Sequence, residues 1–350
     1  MRASILIPAL LLAACNAPVA QAPAPLRTAS VTASGETVAV GTSDADAADD
    51  PAIWRNAADP AASLIVGTDK KAGLYVYGLD GRVRHFLDAG RVNNVDLAET
   101  PAGIIVAASD RNDEANAHIA LFRLDPATAR LLPLGRVKAG AGEAYGICLW
   151  ATPGGNGPKE TKWGALTAFL TLKDGTVRQL EIDAAAPAAR IVRTLKLGSQ
   201  PEGCVVDPRT ARLYVGEEDV GIWRYDARAR SGTQGKLIAR ADGKRLVADV
   251  EGLAIAAEGP TNGGWLVASS QGDNAYSVWR LADERYMGRF RIAAGALGAT
   301  EETDGIEVMT GNFGPAYPDG IMIAQDGSNA PAQNFKLVRW DKVKAALNLR

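Results

Sequence analysis

One pattern recurs six times along this 350-residue chain, and it limits the fold more than any single motif does. Each copy is an apolar strand, a polar turn carrying Asp, Glu or Gly, and an alternating strand that closes on an acidic residue. The copies occupy 64–80, 104–125, 166–183, 213–226, 265–283 and 321–341. A period of two, β-branched and aromatic content and a polar turn make each copy a β-hairpin, and their spacing of roughly 40 to 60 residues suits the blades of a propeller. Between hairpins lies a short strand opened by an acid or amide: Asp49-Asp50-Pro-Ala-Ile-Trp54, Asn93-Asn94-Val-Asp96, Glu143-Ala-Tyr-Gly146, Glu202-Gly-Cys, Asp249-Val-Glu251-Gly and Thr303-Asp304-Gly-Ile-Glu307. Each would be the innermost strand of its blade. The chain is therefore expected to be an all-β protein, a six-bladed β-propeller. Segment 37–42, with no local partner, is expected to close the ring as an outer strand of the last blade.

Innermost strands line one central channel, so equivalent positions form a ring around the axis. That ring would be nearly all carboxylate. A single acid at the start of a strand is ordinarily just solvated, but six in register repel one another and raise each other's pKa unless a cation sits among them. Two histidines, His85 and His118, and three cysteines leave too few soft ligands for zinc, whereas oxygen ligands in loops suit Ca²⁺. Lys70, Lys71, Arg111 and Lys173 fall in the turns of the first three hairpins, at the acidic end. A lone Lys in a turn is usually a surface group. Several beside a calcium-lined channel suggest a polyphosphorylated small molecule, with Arg111 able to grip a phosphate bidentately. With 38 basic and 40 acidic residues, the net charge of −2 provides no global field for nucleic acid or an anionic membrane, and neither is expected as a partner.

Arg2, the apolar stretch 5–14 and Leu12-Ala13-Ala14-Cys15 resemble a bacterial lipoprotein signal. The expected organisation is a signal peptide with lipobox over 1–15, an Ala/Pro-rich tether over 16–31 and one domain over 32–350. Cys15 would carry the lipid, the sole membrane contact of an exported, outer-membrane-anchored monomer on the periplasmic side or the cell surface. Ordinary cleavage and secretion is the alternative. Outside the cytoplasm disulfides are permitted, and Cys148 and Cys204 are either bridged or two buried free thiols.

Asp46-Ala-Ala-Asp-Asp-Pro-Ala-Ile-Trp54 and Asn93-Asn-Val-Asp-Leu97 resemble the two signature motifs of the β-propeller phytases. Further similarities are Asp69-Lys-Lys-Ala-Gly-Leu, Leu172-Lys-Asp-Gly175, Gly216-Glu-Glu-Asp-Val-Gly-Ile-Trp223, Asp249-Val-Glu-Gly-Leu253, Ala268-Ser-Ser-Gln-Gly272, Ala324-Gln-Asp-Gly327 and Gln333-Asn-Phe-Lys336, so the resemblance covers essentially all of 36–340. It implies calcium-dependent hydrolysis of myo-inositol hexakisphosphate (phytate) by a 3-phytase-type phosphomonoesterase. Carried over residue by residue, it places Asp49, Glu202, Glu217, Asp249, Glu251 and Asp304 around catalytic calcium ions, with Asp96 and Glu218 as further metal ligands from the same motifs. Lys70, Arg111, Tyr145 and Lys173 would contact the reacting phosphates, and Lys71, Asp174 and Gln271 the rest of the substrate. Asp50, Asp326 and Asn329 match positions that hold a stabilising calcium. One departure stands out: Leu297-Gly298-Ala299 occupies the place of a family Asp, which removes one structural calcium ligand.

The implied chemistry is direct attack by a metal-activated water that Glu202 positions, while Lys70 and Arg111 offset phosphoryl charge. No Cys-(five residues)-Arg loop or Arg-His-Gly motif is present to form a phosphoenzyme. Two other readings compete: a calcium-stabilised propeller used as a binding module, and a lactonase-type propeller hydrolase. The first gives no purpose to the doubled acids, and the second none to Lys70, Arg111 and Lys173.

Overall fold

The computed structural model describes residues 26–43, 46–151 and 166–350; the signal peptide, Cys15 and most of the expected tether lie outside them. Two short strands come first, β1 (Thr28–Thr32) and β2 (Gly35–Glu36). Six blades follow in chain order. Blade one is β3 to β6 (Ala48–Trp54, Leu64–Asp69, Gly73–Gly78, Val83–Asp88), and blade two is β7 to β10 (Val92–Thr100, Gly103–Asp110, Asn116–Asp125, Arg130–Ala141). Blade three is β11 to β14 (Ala144–Ala151, Leu166–Leu172, Thr176–Asp183, Ala188–Lys196), and blade four is β15 to β18 (Pro201–Asp207, Arg212–Glu217, Gly221–Asp226, Lys236–Arg240). Blade five is β19 to β22 (Val250–Glu258, Gly263–Ser270, Ala275–Arg280, Arg285–Ala293), and blade six is β23 to β25 (Ile306–Thr310, Gly320–Asp326, Asn334–Arg339). Each repeated hairpin supplies the two middle strands of its blade, and each acid-opened segment leads into the innermost one. The chain is a six-bladed β-propeller.

Hydrophobic side chains gather in wedges between neighbouring blades, one wedge for each adjacent pair among the described residues. Alternation makes this possible, because a middle strand that is apolar on both faces feeds two wedges at once. Between blades six and one, Phe335 packs where Gly67 leaves room; a Cβ on Gly67 would lie 2.6 Å from the Phe335 ring. Truncating a side chain of this size in a closed wedge costs about 3–5 kcal/mol.

The ring closes through the N-terminal segment. β2 pairs antiparallel with β25, Gly35 opposite Leu337 and Glu36 opposite Lys336, and so completes blade six. Closure thus falls on the expected blade but ahead of segment 37–42, which continues the pairing through bonds from Thr37 N to the Phe335 carbonyl (2.9 Å) and from Val40 N to that of Gln333 (3.0 Å). β1 adds a fifth, parallel strand to blade five and buries Val31. Its residues lie in the stretch expected to be tether, yet Thr28–Thr32 pair with blade five as part of the propeller. The β-branched, alternating run Thr28-Ala-Ser-Val-Thr32 is a strand inside an otherwise Ala/Pro-rich segment. Cys148 and Cys204 are joined by a disulfide, Cα–Cα 5.6 Å, which ties the innermost strands of blades three and four and answers the question left open by sequence.

Candidate functional site

Five of the six innermost strands are irregular at the same place. Their pairing shifts register between Ala48 and Pro51, Val92 and Val95, Ala144 and Ile147, Pro201 and Cys204, and Val250 and Leu253. Such bulges re-aim side chains at a rim. In four blades a glycine follows the functional residue and takes up the contact with the next blade. A Cβ on Gly146 would meet the Glu202 carbonyl at 2.0 Å, one on Gly203 that of Glu251 at 2.2 Å, one on Gly252 that of Asp304 at 2.7 Å, and one on Gly305 that of Asp49 at 2.5 Å. Backbone bonds from Gly252 N to Asp304 O (2.8 Å) and Gly305 N to Asp49 O (3.0 Å) stitch the same ring. Only a residue without a side chain lets the strands approach this closely, and that approach carries the acids toward one axis.

Glu202, Glu218 and Glu251 each place a carboxylate oxygen within 4.8 Å of the others. Oxygens separated by up to twice a Ca–O distance of roughly 2.4 Å can share one ion. Neither buried oxygen of Asp49 accepts a well-directed hydrogen bond, although Oδ2 lies 3.0 Å from Lys70 Nζ, and Glu251 Oε2 also lacks a partner. Unpartnered buried carboxylate oxygens, with no His or Cys among them, are the donor set that a hard cation suits. Lys70 bridges Asp46 (2.7 Å), Asp49 and Asp304 (2.9 Å). Burial alone would lower its pKa, but Asp49, Asp304, Glu202 and Asp46 outweigh that and hold it above the ordinary lysine value. Burial pushes Glu202 and Glu218 up to about 7, and it pushes Asp49 and Glu251 well above the carboxylate range with help from neighbouring acids. Asp249 is raised by burial, Asp219 and Asp304.

Beside this acidic group stand the cations. Arg111 donates from Nε (3.0 Å) and Nη2 (2.5 Å) to Glu143 Oε1, and Lys173 lies 3.3 Å from the same oxygen. Both flank the ring of Tyr145, at 5.6 Å and 4.7 Å from its centre. Burial and the Glu202 charge keep the Tyr145 hydroxyl protonated. Arg111 Nη1 also donates to Asn93 Oδ1 (2.9 Å), and Asn93 Nδ2 donates to Glu202 Oε1 (2.7 Å). A cavity of about 460 Å³ opens alongside, lined by Asp46, Gln271, Asn274, Glu302 and Asp304. Its size is within the roughly 300–1,000 Å³ of small-ligand sites.

Most residues singled out from sequence lie at this rim, with clear exceptions. Glu217 does not join the triad, because its oxygens are taken by Ser199 (N, 2.6 Å; Oγ, 2.8 Å) and Trp223 Nε1 (2.7 Å); its neighbour Glu218 points to the channel instead. Asp174 is 62% exposed at its side chain and caps its own turn through Thr176 N (2.9 Å), with Lys196 3.4 Å away. Lys71 meets Asp46 at 3.2 Å, and Gln271 donates to Asp304 Oδ1 at 2.6 Å. Asp50 and Asp96 lie deeper, where they accept from Val95 N (3.0 Å) and from Leu97 N (2.6 Å) and Leu149 N (2.7 Å). There they line a small cavity with Glu307; burial raises Asp96 to about 6 and the other two well above the usual range. Asp326 and Asn329 surround Lys336 Nζ, at 3.2 Å and 3.0 Å. Sequence reasoning missed Asp46, Asn93 and Glu143 as parts of the site. Each sat inside a quoted motif, and what hid them is that their role is to hold another side chain.

With this geometry in place, comparison with known proteins is specific. The family profile described as Phytase matches residues 2–349. A 3-phytase of Bacillus subtilis (strain 168) is 39% identical over 331 residues, spanning 89% of this chain and 84% of that protein.

Proposed function

The chain belongs to the phytase family, and we propose that it removes phosphate from phytate at the channel mouth with calcium held by Glu202, Glu218, Glu251 and Asp49. It is a phosphoric monoester hydrolase. What supports calcium is the surplus of unpaired carboxylate oxygen at the rim next to a matched pair of phosphate-binding cations. Bound there, calcium supplies positive charge against phosphate oxygens and lowers the pKa of water.

The protein's own groups do the rest. Arg111 and Lys173, both held against the Tyr145 ring and the same Glu143 oxygen, exchange the Glu143 carboxylate for a substrate phosphate. Tyr145, its hydroxyl kept protonated, donates a hydrogen bond to a phosphate oxygen. Glu202, fixed at Oε1 by Asn93, orients the attacking water and takes its proton as the new P–O bond forms and the ester P–O bond breaks; that proton passes to the departing inositol oxygen, so phosphate and the inositol product leave and the carboxylate is restored. Lys70, charged throughout the working range, offsets the negative charge that grows on the phosphoryl group. Gln271 and Lys71 extend the rim toward the cavity, where neighbouring phosphates of the same substrate would rest.

The test is phosphate release from phytate with calcium, with EGTA, and by Glu202→Gln. Release should fall roughly a hundredfold or more in both the chelated enzyme and the variant; full activity in either would exclude this mechanism. We further propose that the protein is a monomer anchored through lipid on Cys15. Cys15→Ala should then move the enzyme from the membrane to the soluble fraction, and an unchanged distribution would count against the anchor.

A further inference from the structure

A second convergence of oxygens lies where the propeller is clasped shut. Lys336, on β25, is 0% exposed, and its ammonium touches Glu36 Oε2 (2.5 Å), Asn329 Oδ1 (3.0 Å), Asn334 Oδ1 (3.2 Å) and Asp326 Oδ2 (3.2 Å). Four oxygens from three segments thus face one buried point, and a lysine nitrogen occupies it. Asp326 and Asn329 are the residues that family resemblance assigns to a stabilising calcium.

We infer that Lys336 is the resident cation of this cage, so that the clasp holds without calcium and the metal requirement of the protein is confined to the channel. Three observations on this chain support it. The cage contains two carboxylates against one ammonium, and all four of its oxygens lie within 3.2 Å of Nζ, whereas at the channel Asp49 Oδ1 and Glu251 Oε2 have neither a hydrogen bond nor an ion pair. The Lys336 hydrogen bond holds the Glu36 carboxyl below its ordinary value, so the pair is ionised. The backbone facing the ammonium carries no further acid, since a Cβ on Gly298 would lie 3.7 Å from Nζ and this position is glycine. A divalent ion placed among the same oxygens would sit against a fixed positive charge with no added carboxylate to offset it.

The test is thermal melting of the full chain in EGTA and in calcium, for wild type, Asp326→Asn and Lys336→Met. Asp326→Asn should lower the melting temperature equally in both buffers and leave the calcium-induced shift unchanged. A smaller calcium shift in that variant would mean that Asp326 binds the metal and would overturn the inference. Lys336→Met should melt roughly 5 °C or more below wild type in EGTA; an unchanged melt would also overturn it. If either variant fails to fold, Asn329→Ala, which removes one amide oxygen, carries the same calcium comparison. Melting reads no catalysis, so the result stands whichever way the phosphate-release assay falls.

Discussion

The channel mouth and the clasp of blade six are built from the same side chains and end in opposite states. At the mouth Asp46, Asp49 and Asp304 pair with Lys70 while Glu202, Glu218 and Glu251 converge on one another, and Asp49 Oδ1 and Glu251 Oε2 are left without partners. At the clasp Glu36 and Asp326 meet the buried Lys336, and each oxygen on the nitrogen is engaged. The mouth sets six carboxylates against one buried lysine and the clasp two, and this surplus of carboxylate over internal cation marks where the fold leaves work for a metal.

The strongest way to break this contrast is to remove the internal cation from the mouth. Lys70→Met leaves Asp49 buried beside Glu202 and Asp304 with no compensating charge, and should cost about 3–5 kcal/mol of stability in EGTA. Phosphate release from phytate should fall roughly a hundredfold or more. A variant that keeps wild-type turnover would show that Lys70 is only a structural partner of Asp46.

Acidity separates the two regions more gently. Glu202 and Glu218 have folded values near 7, above the 4.5 of an ordinary glutamate. A carboxyl raised on folding stabilises the native state while it is protonated, and that contribution disappears as pH climbs through the raised value. Calcium-free protein should therefore lose stability as pH rises from about 4.5 to about 7. Glu36 runs the other way, because its value is lowered by Lys336; its contribution is present above 4.5 and is lost only in acid. Melting curves across this range should slope downward in EGTA and flatten in calcium, and equal slopes in the two buffers would erase the distinction.

A smaller effect tests how the mouth is held together. Asn93 accepts from Arg111 and donates to Glu202, a pairing that an amide can make and a carboxylate cannot. Asn93→Asp should reduce kcat about tenfold with little change in KM, corresponding to one charge-assisted hydrogen bond. A change in KM alone would make Asn93 a substrate contact instead. Smallest of all, Asp174→Ala should retain kcat and KM within about twofold, since Asp174 serves its own turn and Lys196. A large loss there would restore it to the substrate site.

These contrasts also show what was legible beforehand. Blade number, hairpins and the acid-opened inner strands followed from a period of two and a repeat length, both local properties. The choice between Glu217 and Glu218 did not, because it depends on where β16 stops alternating and its turn begins. Trp223, on β17, and Ser199, in the link between blades three and four, are what claim Glu217. Nor did composition reveal β1, whose pairing partner lies some 260 residues away in blade five. Lys336 was visible as part of Gln333-Asn-Phe-Lys336, but its charge acquires meaning only once Glu36, 300 positions earlier, is folded against it.

Calcium titration by calorimetry puts the account to its most direct trial, using the wild-type chain and a variant carrying Glu202→Gln, Glu218→Gln and Glu251→Gln. The wild type should bind calcium, and the variant should lose the sites formed at the channel mouth while remaining folded. Identical stoichiometry and affinity in the two proteins would contradict the claim that this acidic rim is where the metal is held.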